Sequence, residues 1–286
     1  MPLVKWKNHN IEDVEVDLIL SALKQRYGYD FTGYARASLK RRVLELAQQF
    51  NVHRLSELLP VMLYDEDVAQ TVINNIVVPT SEFFRDAAVW KVLRQVVLPR
   101  LDSFPRINIW QVGSGRGEEA YTLAILLHET GLLKKARIFA SDINPAFLRE
   151  ARDGDWPRWH LERWRESYLL SGGVGAFEQY FVAQGDDRIA IREEFKRSIE
   201  YVQHNLVEDQ VFKEMQLVVC RNVLIYFGET LQSQVLTLLN HSLERGGYLL
   251  LGRAEKMMNL HENYPDLVEV VGEASLYRKA IGGHRV

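Results

Sequence analysis

The residues of this sequence best suited to chemistry stand in the run Ile109-Trp110-Gln111-Val112-Gly113-Ser114-Gly115-Arg116-Gly117-Glu118-Glu119. A β-rich stretch gives way to alternate glycines, and two acids then open a helical pattern. Glycine allows positive φ and close approach of the backbone to a ligand, and the N–H groups at a helix start are unpaired and lie at the positive end of the helix dipole. A dinucleotide fingerprint has the spacing G-x-G-x-x-G and delivers a pyrophosphate to the helix. Here the spacing is G-x-G-x-G. The two carboxylates that follow would repel a pyrophosphate and suit a ligand with a positive group, such as the ammonium or sulfonium of S-adenosylmethionine. The same residues also fit a plain strand-to-helix turn whose acids favour the dipole.

Three further segments carry polar groups at strand ends. Phe139-Ala140-Ser141-Asp142-Ile143-Asn144 closes a second strand with an acid. Such an acid can accept both hydroxyls of an adenosine ribose; alone it is more often a helix N-cap, but the glycine turn one strand earlier favours the ribose role. Cys220-Arg221-Asn222-Val223-Leu224-Ile225-Tyr226-Phe227 follows the strand Leu217–Cys220, which places Arg221 and Asn222 beyond its carboxyl end, where open α/β sheets bind ligands. Cys220 reads as a small buried hydrophobe. Thr80-Ser81-Glu82-Phe83-Phe84-Arg85-Asp86 offers two aromatics for packing, with polar neighbours that could close over a cofactor. None of the eight histidines has H-E-x-x-H spacing, so no metal is expected.

The elements that must position these groups follow from periodicity. Residues 11–78 read as helix throughout: Ile11, Val14, Leu18, Ile19, Ala22 and Leu23 recur at helical spacing, and Leu39, Val43, Leu46, Ala47 and Phe50 form a second stripe. From residue 79 to 286 strands alternate with helices, which implies an α/β, Rossmann-like, doubly wound and mostly parallel sheet. Strands around Leu267–Val271 and Ser275–Lys279 are expected to close it antiparallel. The alternation fails between residues 153 and 203, a stretch rich in Trp, Arg and Tyr that reads as a small inserted β-subdomain.

The net charge of −3 gives no global reason to bind nucleic acid or an anionic membrane. One cysteine excludes an internal disulfide and fits a reducing compartment. No apolar run approaches the roughly 20 residues that span a bilayer, and the first ten residues lack a signal-peptide core. A cytoplasmic protein without membrane insertion is expected.

In this order, the four motifs resemble the CheR-type family of chemoreceptor glutamate methyltransferases. The resemblance rests on Ser81-Glu82-Phe83-Phe84-Arg85-Asp86, Gly113–Ala124, Asp142-Ile143-Asn144 and Cys220–Phe227, and runs from about Ile19 to Lys279. It implies an N-terminal helical domain, an S-adenosylmethionine-dependent methyltransferase domain and the inserted β-subdomain. It further implies that Ser81, Arg85, Glu118, Asp142, Asn205, Leu206, Arg221 and Asn222 line the cofactor site beside Gly113 and Gly115. The product would be S-adenosylhomocysteine, and Arg85 would orient the substrate or cofactor carboxylate. Two departures stand out: Pro79 where the family commonly has Asn, and Ser114-Gly115-Arg116 where it has Cys-Ser-Thr, which sets a bulky Arg116 beside the site.

The implied partner is the cytoplasmic domain of a methyl-accepting chemoreceptor or a similar helical signalling protein. A substrate glutamate has an ordinary pKa of about 4.3 and is ionised at neutral pH. It needs no general base, so activity is expected to vary little between about pH 6 and 9. Lys40, Arg41 and Arg42 on the second helix are expected to face the receptor, with Arg41 opposite the apolar stripe. Competing readings are a non-catalytic S-adenosylmethionine-binding regulator, a nicotinamide oxidoreductase, which the glycine spacing disfavours, and methylation of a small molecule or nucleic acid.

Overall fold

Apolar spacing in the N-terminal region produces four helices, α1 (Ile11–Tyr27), α2 (Arg36–Gln49), α3 (Leu58–Tyr64) and α4 (Glu66–Ile76). The structure is a computed structural model that describes residues 10–77, 81–211, 213–257 and 260–281, and Pro79 lies outside them. Asn10 caps α1 by accepting the Glu12 N–H, and Gly28, at φ 78°, ends it in a left-handed turn. Val16, Ile19, Leu23, Val43, Leu46, Met62 and Val72 fill the core of this helical unit. The unit also takes in Tyr226–Leu231, from a distant part of the chain. The Ala35 N–H donates to the Tyr226 carbonyl at 2.8 Å, the Gly228 N–H donates to the Gly33 carbonyl at 2.7 Å, and the Tyr34 and Phe227 rings meet edge-on at 4.9 Å.

The basic triplet on α2 departs from expectation. Arg42 is buried: its guanidinium donates to the Ile76 carbonyl and lies 4.5 Å from the centre of the Tyr226 ring. Consecutive helical residues turn through about 100° each, so three of them cannot share one face. Leu39, Arg42, Val43 and Leu46 fall at i, i+3, i+4 and i+7, which puts Arg42 on the core stripe. Lys40 pairs with Asp13 at 2.9 Å and Glu12 at 3.1 Å on α1. Arg41 alone extends into solvent, loosely paired with Glu45 at 4.0 Å.

The second unit begins with α5 (Ala87–Val92), which continues through a π-helical stretch, Leu93–Val97, into α6 (Leu98–Leu101). There follow β1 (Ile107–Val112), α7 (Glu118–Glu129), β2 (Ala136–Asp142), α8 (Pro145–Asp153), β3 (Asp155–Pro157), α9 (Leu161–Leu170), β4 (Phe181–Gln184), β5 (Arg188–Ile191), α10 (Glu193–Lys196) and β6 (Ile199–Gln203). The chain ends with β7 (Met215–Cys220), α11 (Glu229–Ser242), β8 (Leu243–Leu251), α12 (Leu260–Asn263), β9 (Leu267–Val271) and β10 (Leu276–Lys279).

Seven strands form one sheet in the order β6-β2-β1-β7-β8-β10-β9, with β10 antiparallel to both neighbours and the other pairs parallel. This is the doubly wound fold expected from the alternation. Strand order reverses between β1 and β7, and ligands of such sheets bind beyond the carboxyl ends at that point. The inserted region builds a separate antiparallel sheet, β3-β5-β4. Its expected last piece belongs elsewhere: Ile199–Gln203 is β6, paired parallel with β2 from Ile138↔Ile199 to Asp142↔Gln203 at the edge of the main sheet. A five-residue strand carries too little periodicity to reveal which sheet it joins.

Arg42→Ala is expected to cost about 2 kcal/mol, because it removes a charged hydrogen bond and buried packing, whereas Arg41→Ala should stay within about 0.5 kcal/mol. Urea unfolding of the two full-length variants measures the difference. Equal midpoints would show that the Arg42 contacts contribute nothing.

Candidate cofactor site

Backbone geometry at the glycine turn leaves no room for side chains. Gly113 and Gly117 have φ of 68° and 92°. A Cβ on Gly113 would lie 2.5 Å from Val223 Cγ2, and one on Gly117 would lie 3.0 Å from Ala151 Cβ. Arg116 leaves the turn outward to pair with Glu150 on α8 at 2.7 Å, half exposed. The bulky departure from the family pattern therefore does not fill the site. Asp142, at the end of β2, grips the turn from below: Oδ2 accepts the Gly115 N–H at 2.8 Å and Oδ1 accepts the Asn144 N–H at 2.9 Å. Burial pushes its carboxyl above the ordinary range against these donors. A carboxylate has about four acceptor positions, so acceptor capacity remains for ribose hydroxyls.

The acids at the start of α7 have different fates. Glu119 is buried against Arg221, whose Nη1 lies 2.7 Å from its Oε2. Glu118 accepts the Trp156 indole N–H on Oε1 at 3.1 Å, while its buried Oε2 makes no hydrogen bond of ordinary geometry. Burial raises the Glu118 carboxyl to about 7, although the Ser81 hydroxyl, the Arg116 charge and the Trp156 donor favour its ionised form. A buried acceptor without a donor is costly. An ammonium at Oε2 would satisfy it, which is the chemistry expected of the amino-acid end of S-adenosylmethionine.

Arg221 ties several segments of the scaffold together. Its side chain has no exposed surface; Nη2 lies 2.6 Å from Asp86 Oδ2 and donates to the Arg85 carbonyl at 3.2 Å, and the guanidinium lies 5.1 Å from the centre of the Trp90 ring. Two carboxylates, a carbonyl and an aromatic face engage this side chain, while its buried Nε makes no hydrogen bond. It anchors the Ser81–Asp86 segment, where Phe84 and Asp86 adopt left-handed φ of 54° and 57°. Such strain persists only where surroundings over-determine the backbone. Here Phe83 and Phe84 are fully buried, the Phe84 N–H donates to Thr122 Oγ1 at 3.1 Å, and the Trp90 indole donates to the Arg85 carbonyl at 2.8 Å. The half-buried Ser81 and Arg85 are carried on this fixed segment.

Asn222 is also left-handed, at φ 58°. A residue not singled out in the sequence holds it there: Glu255, after β8, accepts the N–H groups of Asn222 at 2.8 Å, Gly252 at 2.7 Å and Ile225 at 3.3 Å. Asn205 turns on itself beyond β6, accepting the Val207 N–H at 3.0 Å and donating to Glu208 at 3.1 Å, with Leu206 half-buried beside it. Cys220 is buried, and burial drives its thiol well above the ordinary range, as a core residue requires.

With the cofactor's amino group at Glu118, cofactor affinity is expected to depend on pH. A cation at Oε2 favours the ionised acid, so binding of S-adenosylmethionine below about pH 7 should release a proton and weaken up to about tenfold per pH unit as the solution is acidified. Calorimetry at pH 6 in buffers of unlike ionisation enthalpy detects that proton, and Glu118→Gln should abolish its release. Proton-neutral binding by the parent would remove Glu118 from the site. The flat activity profile expected from an ionised substrate is then confined to saturating cofactor.

Two family models match the chain: CheR methyltransferase, SAM binding domain, over residues 79–270, and CheR methyltransferase, all-alpha domain, over residues 15–77. A Pseudomonas putida protein provisionally named methyltransferase Cher3 is 38% identical over 245 residues, which cover 86% of this chain and 89% of the relative. The chemotaxis protein methyltransferase of Listeria innocua is 31% identical over 253 residues, or 87% of this chain and 93% of that one. Chemotaxis protein methyltransferase 1 of Vibrio cholerae is 29% identical over 237 residues, or 79% and 83%. These matches join a doubly wound sheet whose glycine turn and strand-end acid form one site, and the chain belongs to the CheR family of S-adenosylmethionine-dependent methyltransferases.

Proposed function

We propose that this chain transfers a methyl group to glutamate side-chain carboxylates on the cytoplasmic domain of a chemoreceptor or a similar helical signalling protein. The observation that carries the reading is the commitment of the site's acids. Asp142 holds the glycine turn, Glu119 holds Arg221, and Glu118 presents one oxygen for a cation. None of them is disposed as a base, and an ionised glutamate nucleophile requires none. S-adenosylmethionine, when bound, supplies a methyl group on a sulfonium to the attacking carboxylate oxygen. The protein contributes position and a dry setting for a reaction between opposite charges. Arg85, whose carbonyl is fixed by Trp90 and Arg221, is assigned to orienting a carboxylate.

The names of the Listeria and Vibrio relatives support the chemotaxis setting. No described helix is long and apolar enough to cross a membrane, and the single cysteine suits the cytoplasm. Receptor docking is assigned to the exposed Arg41 and, beside it, to Lys40, whose charge is shared with Asp13 and Glu12, but not to the buried Arg42.

Incubation with methyl-labelled S-adenosylmethionine and candidate receptor cytoplasmic fragments is expected to place base-labile label on glutamate, located by peptide mass spectrometry. Cofactor binding with no transfer to any fragment would favour the non-catalytic regulator. Exposed ion pairs contribute about 0–1 kcal/mol each, so joint charge reversal of Lys40 and Arg41 should raise KM for receptor severalfold at low salt. It should leave cofactor affinity unchanged and fade as salt is added. An unaltered KM at low salt would move docking to another surface.

A further inference from the structure

We propose that Trp156 is a positioning residue for Glu118, through which the inserted sheet becomes a wall of the cofactor site. Trp156 is the central residue of β3, opposite Ile189 on β5, and is 5% exposed. Its ring meets Phe83 at 5.1 Å, Tyr121 at 5.6 Å and Trp164 at 5.9 Å, in each case edge to face. Neighbours from three elements fix the plane of the ring, and an indole has a single donor direction. That direction ends on Glu118 Oε1 at 3.1 Å. With Oε1 engaged, rotation of the carboxylate is restrained and Oε2, buried without an ordinary hydrogen bond, is left as the free acceptor. An acid held at Oε1 by the indole, with Oε2 lacking a hydrogen bond of ordinary geometry, is prepared for one cationic donor.

Other groups face the same acid. The Ser81 hydroxyl and the Arg116 charge favour its ionised form, and the Tyr201 hydroxyl, buried and without an ordinary hydrogen bond, lies on the β6 side. Ser81, Arg116 and Tyr201 belong to the main methyltransferase sheet and its loops, whereas Trp156 belongs to the inserted sheet. The insertion thereby reaches the cofactor's acid directly.

The inference rests on the placement of the cofactor's amino end at Glu118, and two measurements separate the two claims. Trp156→Phe keeps an aromatic ring and removes the donor. A hydrogen bond to a charged group changes an equilibrium by about tenfold or more. The ratio of parent to variant affinity for S-adenosylhomocysteine should therefore be about tenfold at pH 6 and shrink to less than about twofold at pH 8.5, where Glu118 is ionised in both proteins. A purely structural role predicts a loss that does not change with pH, and that result, or no loss at all, overturns the proposal. The second measurement needs no variant at Trp156. In the ligand-free parent, one of the six tryptophan indole N–H resonances should move with a midpoint near that of Glu118, about 7, and should stop moving in Glu118→Gln. Indole resonances that are all insensitive to pH overturn the proposal even if Trp156→Phe fails to fold. Parent-like binding by Glu118→Gln would overturn the cofactor placement instead.

Discussion

The buried guanidinium of Arg221 ties together the segments that form the site. It lies between Glu119 at 2.7 Å and Asp86 at 2.6 Å and caps the Arg85 carbonyl. A charge in that position is tolerable only when partnered on several sides, and loss of one partner leaves an uncompensated charge costing about 3–5 kcal/mol. The end of β7, the start of α7 and the strained Ser81–Asp86 segment are thus mutually required. Phe84 and Asp86 keep their left-handed backbone because the guanidinium, the Trp90 indole and the Thr122 hydroxyl each hold a neighbouring group. Glu255 performs the matching task across the strand, gathering three backbone N–H groups from the loops after β7 and β8.

Within this frame the buried acids divide the labour through their neighbours. Asp142 is occupied by backbone donors of the turn and of its own helix start, Glu119 is neutralised by Arg221, and Glu118 retains one oxygen without an ordinary donor. All three carboxyls are raised by burial, and for Glu119 the Arg221 guanidinium offsets part of that cost. Under the proposed function these acids would receive the cofactor's ammonium and ribose, and an anionic nucleophile needs no proton-abstracting residue.

Much of this was legible in the sequence because it is local. The glycine turn, the strand-end Asp142 and the order of strands and helices each follow from contiguous residues whose period or spacing is unambiguous. What stayed hidden depends on contacts across the chain. Trp156 reaches Glu118 over 38 residues, and Glu255 reaches Asn222 over 33. Tyr226–Leu231 follows the β7 strand-end motif in the sequence but joins the helical unit. Arg42 reads as one of a basic triplet, yet its spacing from Leu39 and Leu46 already placed it on the buried stripe, a signal outweighed by the charge of its neighbours. Arg221 lies beyond β7 as expected, but position alone could not show that Glu119 and Asp86 pair with its guanidinium.

The central claim is that one site holds the ribose at Asp142 and the amino-acid end at Glu118. A crystal structure of the full chain with S-adenosylhomocysteine tests it most directly. The expected result is both ribose hydroxyls donating to Asp142 and the amino group within hydrogen-bond distance of Glu118 Oε2, with Arg116 still turned out to Glu150. A bound ligand whose amino group lies elsewhere, leaving Oε2 bare and Asp142 bonded only to backbone, would contradict it.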